Sequence, residues 1–172
     1  MAKQPNTSGG GARTNTNGLY FEQTTELKDA ILRNPGFSVL GNNVFRNGER
    51  VAVLYQKNSL YSELLKPNGV NYQDRISKKL LPDDAILVER TLYIIEKKFQ
   101  RCAGSVDEKL QTCDFKKKQY AKLLSPLNIN VEYYYFLCDW FKRCEYLDVK
   151  NYIESVGCKY FFDEIPLREI GL

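Results

Sequence analysis

The stretch Leu81–Phe99, LPDDAILVERTLYIIEKKF, decides how this chain reads. Ala85–Val88 and Leu92–Phe99 are rich in β-branched and aliphatic residues, which suit strands. A tight turn between Glu89 and Arg90 makes them an antiparallel pair. Twelve residues separate Asp83 from Glu96, and their midpoint falls at that turn, so Asp83 stands directly across from Glu96. Cross-strand neighbours hold their Cβ atoms about 5 Å apart. Glu96 and Lys98 are two apart on one strand, so both point to the same face. Asp84 replaces Asp83 in this cluster if the register slips by one.

Two carboxylates held that close repel each other unless a cation sits between them. Hard oxygen donors suit magnesium or manganese rather than zinc. Such an ion lowers the pKa of a bound water and offsets charge on an attacked phosphate. Lys98 then orients the nucleophilic water or acts as a fixed cation in the transition state. By spacing alone, the same residues also read as ordinary carboxylate–lysine pairs on a strand. The absence of histidine narrows the chemistry further. It excludes Ser-His-Asp and Cys-His hydrolases, zinc sites that need imidazole, and nucleases with a histidine base.

The 172 residues suit one domain with a single sizeable core, and 43% hydrophobic content supports folding. The net charge of +4, from 25 basic and 21 acidic residues, permits an anionic partner without demanding one. Cys102, Cys113, Cys138, Cys144 and Cys158 are odd in number and contain no CxxC. They read as reduced thiols rather than a zinc or disulfide framework. No apolar run opens the chain, and none approaches the roughly 20 residues of a membrane span. The expectation is a soluble, cytoplasmic protein.

Residues 1–17, MAKQPNTSGGGARTNTN, are polar and Gly-rich and read as a flexible tail. Residues 18–172 read as the single folded domain. Tyr20, Phe21, Thr24, Leu27, Ala30 and Ile31 recur at helical spacing over Leu19–Leu32, and Asn34-Pro35-Gly36 stops that helix. Phe37–Phe45 reads as one short strand, joined by an Asn47-Gly48 hairpin turn to a second over Arg50–Tyr55. Asn58–Lys66 reads as a short helix ended by Pro67-Asn68-Gly69. Ser105–Leu124 reads as one helix, with Ser105 and Glu108 as a capping box. Ile129–Phe141 begins as a buried strand, and its aromatic run Tyr133–Phe136 belongs to the core rather than to a base-stacking platform. Asp148–Val156 is a helix closed by Gly157, and Lys159–Phe162 is a last strand. The order gives an α/β (α+β) fold, a central mixed sheet flanked by helices.

PDDAIL followed by IIEKK resembles the PD-(D/E)xK nuclease superfamily, specifically small type II restriction endonucleases. The likeness extends through AGSVDEKLQTCDFKKKQY and the closing VGCKYFFDEIPLREIGL, roughly the second half of the chain. Gly104–Lys109 looks similar to a Gly-x-x-x-Glu-Arg stretch that couples recognition to cutting in some of these enzymes, with lysine in place of arginine. The resemblance implies a restriction-endonuclease-like core with Asp83, Glu96 and Lys98 catalytic and Asp83 and Glu96 as metal ligands. It implies Mg²⁺, with Mn²⁺ as a substitute, and hydrolysis of both strands of duplex DNA at a short specific sequence. It further implies a homodimer if the site is palindromic, although small members can act as monomers, and a cognate DNA methyltransferase encoded nearby. Several members carry an extra acidic ligand on the first helix; Glu22 is the candidate here, with Glu26 four residues on also available, against a reading of both as exposed helix acids. Lys97, Arg101, Lys109, Lys116 and Gln119 are the candidates for gripping DNA phosphates, against a reading of the lysine run as a solvated face. Alternative functions on the same fold are a Holliday-junction resolvase, a repair or phage nuclease, and a non-catalytic DNA-binding protein.

Overall fold

Asn47-Gly48 is a hairpin turn, with both residues at positive φ, 52° and 87°. That backbone matches the right-handed twist of the strands it joins. The computed structural model describes residues 26–101 and 106–172. The expected tail at 1–17, Glu22, the first half of the first helix, Cys102 and the Ser105 cap lie outside them.

Seven strands form one mixed sheet in sequence order: β1 (Phe37–Leu40), β2 (Asn43–Arg46), β3 (Glu49–Tyr55), β4 (Asp84–Val88), β5 (Thr91–Lys98), β6 (Asn130–Leu137) and β7 (Lys159–Phe161). Neighbours from β1 to β5 are antiparallel, while β5–β6 and β6–β7 are parallel. The helices are α1 (Leu27–Leu32), α2 (Val106–Leu110), α3 (Cys113–Leu124) and α4 (Leu147–Ser155). The class is α/β, a mixed sheet with helices.

Strand alternation divides the core in two. Ala85, Ile94, Tyr133 and Tyr135 face α3, where they pack with Tyr120, Leu123 and Leu124. Ile86, Ile95, Tyr134 and Phe136 face the other way and pack with Leu27 and Ile31 of α1. Residues on both faces of β6 are buried, which explains why its sequence is a continuous apolar run rather than an alternation.

Two sequence expectations need correction. Phe37–Phe45 is two strands rather than one, because Gly41 turns the chain at φ 59° and pairs Leu40 with Asn43. Ser105–Leu124 is not one continuous helix: α2 and α3 break at Gln111-Thr112. The carbonyl of Lys109 accepts hydrogen bonds from Thr112 Oγ1 (2.7 Å) and Tyr135 OH (3.0 Å). These donors draw it out of the helical ladder, and a threonine hydroxyl often competes in this way. The expected helix at Asn58–Lys66 is present over Leu60–Leu65, but wound as a π-helix that runs into a 3₁₀ turn at Lys66–Asn68.

Ile94 is fully buried in the middle of the sheet. Ile94→Ala should lower unfolding free energy by about 2–5 kcal/mol, read by guanidinium titration at an unchanged denaturant slope.

Candidate active site

Val88 pairs with Thr91 across the two-residue turn Glu89-Arg90, and Asp84 pairs with Ile95. Continued by one residue, this register sets Asp83 across from Glu96. Asp83 lies in a bend just before β4. Its carboxylate is tied to the facing strand, because the Lys97 backbone N–H donates to Asp83 Oδ2 at 2.8 Å.

Glu96 is buried on the α3 face. Lys98 Nζ and Lys116 Nζ both donate to its Oε2, at 3.0 and 3.1 Å. Lys98 comes from the same face of β5, and Lys116 from α3, which packs over it. Lys98 Nζ also donates to the Lys97 carbonyl at 3.1 Å and lies 5.9 Å from the centre of the Tyr135 ring. The two lysines retain part of their exposure, 15% and 26% of their side chains against 8% for Glu96. The cluster is therefore reachable from solvent through its cations rather than through its glutamate.

Beneath the cluster lies Tyr120, fully buried, with a hydroxyl that has no hydrogen-bond partner among the described residues. Burial pushes its pKa far above the usual phenol range, with the charges of Glu96 and Asp83 adding to the effect. Tyr133 is also fully buried, and its pKa is raised well above the phenol range chiefly by burial and then by Glu96. Both phenols stay neutral and able to donate. Sequence reasoning missed Tyr120. The available signal was its position four residues after Lys116, on one face of α3.

The opposite face of the hairpin holds a different pair. Lys97 Nζ lies 2.7 Å from Asp84 Oδ2, with both side chains almost fully buried. Gln56 Nε2 donates to Asp84 Oδ1 at 2.6 Å, and the Leu27 N–H donates to Oδ2 at 3.4 Å. Adjacent residues on a strand point to opposite faces, so Asp83–Asp84 and Lys97–Lys98 are each split between the two clusters. Asp84, the alternative to Asp83 in a slipped register, is thus held away from Glu96.

The remaining candidates scatter. Lys97, expected to face DNA, is instead sealed in the Asp84 pair because β5 turns it toward α1. Arg101 is exposed, stacked 5.4 Å from the Phe99 ring centre. Lys109 is exposed at the end of α2, and Gln119 is half-buried on α3. Of the three consecutive lysines, Lys116 reaches Glu96, Lys117 reaches Glu132 and the Gly157 carbonyl, and Lys118 pairs with Asp114.

Asp83 and Glu96 are the carboxylates that would hold a magnesium-like ion, with Lys98 and Lys116 now on the Oε2 of Glu96. Among the described residues no three His, Cys, Asp or Glu gather into a closed cage. Magnesium needs none, since it takes one or two carboxylates and fills its other positions with water and substrate phosphate. The partnerless Tyr120 hydroxyl beside the two carboxylates is the kind of donor that ordered water at such an ion would satisfy.

No family model, curated protein or solved structure matches this chain. Among the described residues, no helix is long and apolar enough to cross a membrane.

The sealed pair on the α1 face generates a prediction. Lys97→Met leaves Asp84 buried without its cation and should cost about 3–5 kcal/mol in urea unfolding. The double variant Asp84→Leu/Lys97→Met should recover most of that loss.

Proposed function

We propose that this protein is a metal-dependent endonuclease that cleaves double-stranded DNA, with Asp83, Glu96 and Lys98 as its active site. The observation that carries the reading is the hairpin register, which sets two carboxylates opposite each other with Lys98 on the same face. Asp83 and Glu96 would hold Mg²⁺, or Mn²⁺ in its place. Bound there, the ion supplies a Lewis acid for the phosphodiester and a water of lowered pKa.

The chain's own residues do the rest. The ammoniums of Lys98 and Lys116 balance the two carboxylates in charge. A divalent cation would leave the cluster positive and complementary to an entering phosphodiester. Lys98, bridging Glu96 and the Lys97 carbonyl, is held where it can orient an attacking water or offset charge on the phosphate. Lys116 brings a second cation from α3 to the same oxygen of Glu96, which suits a grip on a phosphate flanking the cut. Tyr120 and Tyr133 form a dry, neutral floor that excludes bulk water and strengthens these charge interactions.

The finer reading is a type II restriction endonuclease. It rests on the resemblance of PDDAIL, IIEKK, GSVDEKLQTCDFKKKQY and the closing segment to that class. A homodimer then follows if the recognition site is palindromic, and a cognate methyltransferase would be encoded nearby.

Plasmid digestion in Mg²⁺ tests this directly. Wild-type protein should give discrete fragments, and sequencing of their ends would give both site and stagger. Asp83→Ala and Lys98→Ala should each lower the rate by at least about a hundredfold, while Lys118→Ala on the exposed side of α3 should cut normally. Wild-type protein that binds DNA but never cuts it, in Mg²⁺ or Mn²⁺, contradicts the reading.

A further inference from the structure

Residues 56–83 connect β3 to β4, two antiparallel neighbours that a two-residue turn would suffice to join. Connections this long inside a compact domain usually carry function. This one folds into the π-helix and 3₁₀ turns on the α3 side of the sheet and lines an open cavity of about 530 Å³. A space of that size takes a small ligand the size of a nucleotide.

The lining gives the chemistry. Two lysines, Lys66 and Lys79, face the cavity, and among the described residues no carboxylate lines it. Neither ammonium forms an ion pair with the described residues, although most lysines around the active site do. Lys79 Nζ is steadied by two aromatic rings, 5.0 Å from the centre of Tyr61 and 5.1 Å from that of Tyr72. Those rings meet edge to face at 5.7 Å. Asn58 and Ser62 add polar groups to the wall. Unneutralised cations beside an aromatic wall suit an anion that carries a flat, partly apolar body.

The cavity is also tied to the active site. Tyr61 OH donates to the Leu80 carbonyl at 2.8 Å and accepts from the Leu80 N–H at 3.0 Å. Only three residues of chain lead from Leu80 to Asp83, at most about 10 Å.

We propose that this cavity holds the backbone of the DNA strand near the cut, with one phosphate between Lys66 and Lys79 and the adjoining sugar against Tyr72. The inference rests on DNA being the substrate, as proposed above, but does not require cleavage.

The test is fluorescence anisotropy of a labelled duplex with the full chain in EDTA, over a series of salt concentrations. Lys66→Ala/Lys79→Ala should bind about tenfold more weakly, with a slope of log affinity against log salt shallower by about one to two. Ser62→Trp, which fills the cavity without changing charge, should also weaken binding. Circular dichroism and melting of each variant verify its fold, since all three positions are exposed. A wild-type salt slope in the lysine pair, or wild-type affinity in Ser62→Trp, overturns the proposal. Wild-type protein that binds with this dependence yet never cuts would sink the nuclease reading and leave the backbone-binding cavity standing.

Discussion

The register of the β4–β5 hairpin is the constraint on which the rest depends. It is set at the turn, where Glu89 takes a positive φ of 50°. That conformation is uncommon for a residue other than glycine and costs about 1–2 kcal/mol. Neighbouring contacts hold it. The Arg90 carbonyl accepts from the Asn130 N–H at 2.8 Å, and the Arg90 guanidinium donates twice to the Asn128 carbonyl. The turn is thereby pinned to the start of β6. A slip of one residue would exchange Asp83 with Asp84 and turn each buried side chain of β4 to the wrong core.

One hairpin thus builds two clusters of the same residue types with different character. On the α1 face, Asp84 and Lys97 satisfy each other almost entirely out of solvent, aided by Gln56 and the first turn of α1. On the α3 face, Glu96 is shared by two lysines that remain partly exposed, above the buried rings of Tyr120 and Tyr133. The first arrangement is complete and suits a structural role. The second keeps cations at its mouth and, at its floor, a Tyr120 hydroxyl without a partner among the described residues.

Much of this was legible in the sequence because strand alternation and turn length are local. The two-residue turn at Glu89-Arg90, the shared face of Glu96 and Lys98, and the Asn47-Gly48 hairpin all follow from a period of two and from turn composition. Long-range packing was not legible in the same way. Nothing local says that Lys97 would be buried against Asp84, since Lys97 and Lys98 differ only in which face they take once the register is known. The break at Gln111-Thr112 depends on Tyr135, a residue on another strand that captures the Lys109 carbonyl. The turn at Gly41 was a local signal overlooked within an apolar run. The cavity over residues 58–79 rests on a loop whose shape comes from tertiary contacts such as Tyr61 with Leu80, which no periodicity announces.

The central claim is that Asp83 and Glu96 share a divalent cation. Anomalous diffraction from crystals grown or soaked in millimolar Mn²⁺ tests it most directly. The account predicts an anomalous peak between those two carboxylates on the α3 face, within about 2.0–2.3 Å of an oxygen of each. A peak at Asp84 on the α1 face, or no peak beside Glu96 with its two lysines still in contact, would contradict it.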